Sequence, residues 1–278
     1  MFGRSRKSVT RRCWYSSAVD LAGIPAAQVW DLVAPATRQL RVTRDEPPYV
    51  AEGFASRQDP ANGAVFEIST PLGGSRLTTH IWRDLPEVWA DDAWVVDKMQ
   101  DFLDRVRAGL GVRADVRLPA DLLPAKAGPG LSPGPVDRQR VSDRALLPGV
   151  TPQQVWDLIR PVGAAFYDPA VLEAYVVPGT GPGVGEIQVC VAERGGVRSV
   201  TRNRVRHEEP PFLALTEVLD QEWPCGLSYR LWAQDGATWL QLTGSRDHEP
   251  DVYLPDLLVD HRAFVSRFSE WINTTLQA

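Results

Sequence analysis

The stretch Thr151-Pro-Gln-Gln-Val-Trp-Asp-Leu-Ile-Arg-Pro161 runs on through Tyr167-Asp-Pro169 to Pro178-Gly-Thr-Gly-Pro-Gly-Val-Gly185, and its reading decides the fold. Its first part reads as a capped helix. A second short helix before Tyr167 and a glycine-rich approach to a strand follow.

Downstream of this stretch, strands are expected near 138–147, 175–178, 185–194, 196–207, 212–219, 226–234 and 238–245, the first of them just ahead of the capped helix. The chain then closes on a helix from Tyr253 to Leu276. In it Leu254, Leu257, Leu258, His261, Val265, Phe268 and Ile272 recur at spacings of three and four, one apolar stripe that must lie on the inner face of the sheet. A curved antiparallel sheet gripping one long helix leaves an elongated apolar cavity between them.

Upstream, the plan occurs a second time in shortened form. Val29-Trp-Asp-Leu32 matches Val155-Trp-Asp-Leu158 at an offset of 126 residues, and Asp45-Glu-Pro-Pro-Tyr-Val50 matches Glu208-Glu-Pro-Pro-Phe-Leu213 at 163. Each Glu-Pro-Pro leads into alternating segments and then a helix, Trp89 to Leu110 in the first copy. The chain is an internal duplication. The offsets differ by 37 residues, so the first copy lacks the equivalent of roughly Pro161 to Val197: a short helix and two strands. The division expected is a disordered basic tail over 1–11, a shortened copy over 12–112, a Pro/Gly-rich extended linker over 113–136 and a complete copy over 137–278.

Composition narrows the function. With 44% hydrophobic residues and ten tryptophans the chain can pack real cores, and no apolar run is long enough to span a membrane. Three scattered cysteines suggest neither a disulfide framework nor a zinc site, so a cytoplasmic home is expected. Five basic residues and no acid precede Asp20, so the net −5 is made of +5 there and −10 beyond. A body that acidic repels a phosphate backbone, which argues against nucleic acid as the main ligand. The glycines at 179–185 are not followed by Lys-Ser/Thr or by a helix, so they read as a turn rather than a phosphate cradle. Asp247-His248-Glu249 with Asp251 lies on one loop and does not converge on an ion. No metal and no cofactor is expected.

The order of elements, with Tyr167-Asp168-Pro169, Gly181-Pro-Gly-Val-Gly185, Asn203-Arg204-Val205 and Ser228-Tyr229-Arg230 at their positions, resembles the SRPBCC (START/Bet v1-like, helix-grip) superfamily. The polyketide cyclase/dehydrase-like branch and the tandem di-domain aromatase/cyclases are similar to it. Asp168 stands where that branch tends to carry histidine, and Asn203 where it tends to carry glutamate. The resemblance implies an α+β fold of tandem helix-grip domains, the first truncated. It also implies an aromatase/cyclase or dehydratase-like step on a polyketide-type substrate.

Strand alternation then sorts the faces. Arg198, Arg202, Arg204 and Arg206 belong in water, which turns Ser199, Thr201, Asn203, Val205 and His207 inward. On the next strands Phe212, Ala214, Thr216 and Val218, and then Leu227, Tyr229 and Leu231, face the same way. The ligand-binding set expected is Tyr167, Thr201, Phe212, Thr216, Leu231, Phe264, Val265 and Phe268. Tyr229 and Tyr167 can hydrogen-bond an enolate oxygen, Asn203 can orient a carbonyl, and His261 or His207 can move a proton. The catalytic set is therefore Tyr229, Asn203 and His261. The same tyrosines read equally as core residues, His207 as a surface residue and His261 as a satisfied helix histidine. The expected partner is a hydrophobic small molecule, with a homodimer allowed. A non-catalytic carrier or sensor and a protein-interaction module stay open beside the enzyme.

Overall fold

The computed structural model describes residues 10–56, 59–86, 93–112, 118, 138–219, 221–222, 224–247, 254 and 256–278. The chain forms two compact units, Met1–Val141 with His248–Val259, and Ser142–Asp247 with Asp260–Ala278. Most of the expected basic tail, and the linker apart from Leu118, lie outside the described residues. Of the tail, Thr10 and Arg11 already belong to the first strand.

The second unit is an antiparallel sheet with helices on one face. Its strands are β6 (Arg138–Pro148), β7 (Val171–Val176), β8 (Ile187–Arg194), β9 (Val197–Glu209), β10 (Leu213–Val218), β11 (Cys225–Gln234) and β12 (Ala237–Asp247). They lie in the order β6-β12-β11-β10-β9-β8-β7, so every neighbour after β6 and β12 is a sequential hairpin. Between β6 and β7 run α3 (Pro152–Ile159) and a 3-10 helix (Gly163–Tyr167); α4 (Leu257–Gln277) ends the chain.

Local chemistry explains α3. Thr151 Oγ1 accepts from the Gln154 backbone N–H at 3.3 Å, and Gln154 Oε1 accepts from the Thr151 N–H at 2.8 Å. This capping box satisfies two orphan donors with proline in the first turn. Gly163 opens the 3-10 helix because a Cβ there would sit 1.8 Å from the Leu158 carbonyl oxygen.

The second half of the expected α4 stripe does what its spacing predicts, whereas the helix begins at Leu257 and Leu254 lies outside it. Val265, Phe268 and Ile272 are fully buried and meet Leu231, Leu240 and Leu242 of the sheet and Val155 and Ile159 of α3 in one core.

The first unit repeats the plan with fewer parts. It contains β1 (Thr10–Ala22), α1 (Ala26–Thr37), β2 (Arg41–Glu46), β3 (Val50–Ser56), β4 (Asp59–Ser69), β5 (Gly74–Pro86) and α2 (Ala93–Gly109). The sheet order β2-β3-β4-β5-β1 equals that of the second unit with β7 and β8 removed, and no 3-10 helix separates α1 from β2. Val29 and Val33 of α1 and Leu103 and Val106 of α2 close onto Val19, Phe66, Ile68 and Leu77. On the opposite face, Arg76 and Asp20 form a buried ion pair that also grips the backbone of Leu118, at 2.9 Å for each bond.

Phe268 is 1% exposed at the centre of the second core. Phe268→Ala is expected to cost about 3–5 kcal/mol of stability, measured by urea unfolding of the full chain. A loss below about 1 kcal/mol is incompatible with this packing.

Candidate functional site

Core packing leaves part of the second unit's inner face uncovered. There a cavity of about 320 Å³ lies between strands β7 to β11, the α3–3-10 segment and Phe264 of α4. Alternation selects its strand walls: Gln188, Cys190 and Ala192 on β8, Ser199, Thr201 and Asn203 on β9. Thr216 and Val218 of β10 and Leu227 and Tyr229 of β11 continue the same face.

Two tyrosines belong to this lining. Tyr167 ends the 3-10 helix with its ring edge-on to Phe264 (5.1 Å) and Phe268 (5.5 Å). Tyr229 lies 6.0 Å from Phe268. Among the described residues neither hydroxyl, nor the side chains of Asn203 and Thr201, has a hydrogen-bond partner. Burial pushes the Tyr229 phenol up to about 12; Tyr167 adds to this and the Arg160 charge opposes it. Burial, reinforced by the Asp168 charge, also raises Tyr167. Both phenols therefore stay protonated donors at neutral pH. Thr216 is less available, since its hydroxyl donates to the Leu227 carbonyl at 3.2 Å.

The remaining expected residues lie elsewhere. Leu231, Val265 and Phe268 are buried in the core beneath the wall. His261 is also buried off the wall, with Nε2 3.0 Å from the Leu242 carbonyl. Phe212 sits in the β9–β10 turn, 52% exposed and outside the lining. His207 points outward, bonded to Glu209 at 2.8 Å. The reason is a bulge: Thr216 pairs with Val205 but Leu215 with His207, so Arg206 is the extra residue and the alternation reverses after it.

Sequence reasoning missed a charged cluster beside the cavity. Arg160, a wall residue, donates through Nε to Glu208 at 2.8 Å and lies 3.4 Å from Glu186, which in turn accepts from Gln188 at 2.5 Å. All three charged side chains are largely buried. The partners lie 26 and 48 residues from Arg160, so no local pattern reveals them. At the other side Arg194 pairs with Asp168, which also accepts from the Ala170 N–H at 2.9 Å.

The glycine-rich loop is a turn. Gly179, Gly181, Gly183 and Gly185 all have left-handed φ values, and the Thr180 hydroxyl ties Val177 O to Ile187 N. Of its N–H groups, Thr180 donates to the Val177 carbonyl, Gly185 to that of Val205 and Glu186 to that of Gly183. Among the described residues no cluster of three His, Cys, Asp or Glu could hold a metal ion; residues 248–251 lie outside them. No described helix is long and apolar enough to cross a membrane.

A curved antiparallel sheet closed by a C-terminal helix, with a cavity between, defines the second unit. The fold is helix-grip. No protein-family model matches the chain, and no curated protein matches it in sequence. Among solved structures it is similar to the di-domain ARO/CYC StfQ from the steffimycin biosynthetic pathway, at 11% identity and TM-score 0.38, over 95% of this chain and 96% of that one. It is also similar to a START superfamily protein from Mycobacterium smegmatis (10% identity, TM-score 0.40), over 50% of this chain and 97% of that one. A third is the Zhui aromatase/cyclase from a Streptomyces species (14% identity, TM-score 0.39), over 51% and 97%.

Two measurements test the site's electrostatics. Arg160→Met leaves two buried carboxylates without their cation and is expected to cost about 3–5 kcal/mol in urea unfolding. The difference in phenolate absorbance between wild type and Tyr229→Phe is expected to titrate near pH 12. Between the ordinary tyrosine value of about 10 and that value the unfolded chain loses this proton first, so stability falls as pH rises. A Tyr229 midpoint at about 10 contradicts its burial.

Proposed function

We propose that the second unit binds a hydrophobic small molecule carrying scattered oxygens, and that it promotes an aldol-type cyclisation or dehydration of a polyketide-type chain. The carrying observation is a largely apolar cavity whose lining includes four polar side chains, Tyr167, Tyr229, Asn203 and Thr201, with no hydrogen-bond partner among the described residues. Its volume falls in the range of small-molecule sites, about 300–1,000 Å³. The polyketide assignment rests on the motif resemblance.

In ring closure an enolate carbon attacks a carbonyl carbon, a C–C bond forms and the carbonyl oxygen takes up the charge before it is protonated. A phenol held protonated in a dry wall is suited to donate to that oxygen, which is the role given to Tyr229, with Tyr167 as a second donor. Asn203 orients the carbonyl. His261 does not reach the wall, so its proposed role is to hold the α4 wall by its bond to Leu242.

A second reading, a carrier or sensor, has one specific observation in its favour. Among the described residues no histidine lines the cavity, and the one carboxylate in its lining, Asp168, is already engaged by Arg194 and the Ala170 N–H.

Native mass spectrometry and thermal shifts against polyketide-like and lipid-like compounds come first, and a bound mass or a shift is expected. For a stabilising compound, Tyr229→Phe is expected to keep affinity within about fivefold and to lose about 10²–10³ in turnover. Binding without turnover in the wild type selects the carrier. No mass and no shift from any compound removes both readings.

A further inference from the structure

Gln188, a wall residue on β8, is tied to the charged cluster at Arg160. Glu186 is 2% exposed and ion-paired to Arg160 at 3.4 Å, and its carboxylate offers acceptors and no donor. The Gln188 amide must therefore turn Nε2 to Glu186, and it donates there at 2.5 Å. The opposite orientation would set two acceptor oxygens against each other with no proton between them. An amide has two ends, so fixing its nitrogen also fixes its oxygen.

That oxygen is available. Gln188 Oε1 accepts no hydrogen bond among the described residues, yet it is not one of the enclosed polar atoms of the fold. Gln188 is 9% exposed and lies opposite Asn203 of β9 on the cavity face, so the space open to Oε1 is the cavity. Ser199 and Thr201, farther along the same wall, are exposed, and their hydroxyls can rotate to donate or to accept as a ligand requires. The Gln188 acceptor has no such freedom while Glu186 holds the amide.

We propose that Gln188 selects ligands bearing a hydroxyl or enol O–H, which donates to the Oε1 atom that Glu186 holds in place. This rests on the reading of the cavity as a small-molecule site and narrows the class it takes. The phenols of Tyr229 and Tyr167 call for a carbonyl on the ligand, whereas Gln188 calls for a donor. A hydroxylated or enolised ketone satisfies both. A plain acyl chain displaces water from Oε1 and leaves it without a partner. Glu186 is a positioning residue, acting through Gln188.

The test is isothermal titration calorimetry of the full chain with 2-naphthol and 2-methoxynaphthalene, which share the ring and the oxygen and differ in the O–H. Wild type is expected to bind 2-naphthol at least about tenfold more tightly. Gln188→Met keeps the side chain's length, removes the amide and is expected to bring the two probes within about threefold of each other. Glu186→Gln can donate as well as accept, which frees the Gln188 amide to turn over, and the same ratio is expected to fall at least about threefold. A Gln188 that served only the packing would weaken both probes together and leave their ratio unchanged. Should Gln188→Met fail to fold, Glu186→Gln carries the comparison. Equal wild-type affinity for the probes, or a ratio that survives either variant, overturns the inference and leaves the cavity a small-molecule site. Binding of neither probe up to its solubility overturns both.

Discussion

One helix cannot cover a seven-stranded sheet. At about 4.8 Å per strand the sheet is roughly 30 Å wide, whereas a helix with its side chains spans about 10 Å. The second unit resolves the mismatch in two ways. The α4 stripe of Val265, Phe268 and Ile272 fills the half of the face formed by β6, β12 and β11, with α3 wedged against it. The other half, under β7 to β10, is bridged by the 3-10 helix and left hollow. The cavity follows from the strand count. In the five-stranded unit, α1 and α2 share one core with β1, β4 and β5.

The polar groups sort by the same geometry. Where the wall is thick and closed, charge survives only as a cluster, Arg160 between Glu186 and Glu208, because an isolated ion there is prohibitive. Where the wall borders the hollow, neutral groups can stay unpaired, since a hydroxyl or amide costs far less to leave without a partner than a charge does. Tyr229 lies between the two regimes: burial raises it and Arg160 restrains it.

Much of this was legible because it is periodic. The seven strands, the α4 stripe and the shortened repeat come from spacings of two, three and four and from two offsets. The inward placement of Thr201, Asn203 and Tyr229 needed only alternation. Legibility failed where periodicity broke. The bulge at Arg206 reversed the face of His207 and left no trace in composition. Phe212 faces solvent because it belongs to a turn that alternation treats as strand. Spacing on a helix also cannot tell a wall residue from one beneath it. Phe264 reaches the cavity while Val265 and Phe268 do not, a difference of tens of degrees about the axis. The Arg160 cluster joins three distant segments and belongs to tertiary structure alone.

The elements that distinguish the two copies, the 3-10 helix, β7 and β8, are consecutive in the chain and also gathered at one margin of the sheet. A block with both properties can be gained or lost in a single genetic event. Its removal severs only the β8–β9 pairing and uncovers β9 as one new sheet edge, so the other remaining strands keep their partners. Whichever copy is the older, the two are one insertion or excision apart. That event widens or narrows the sheet at one margin while the two halves keep one shared order of strands.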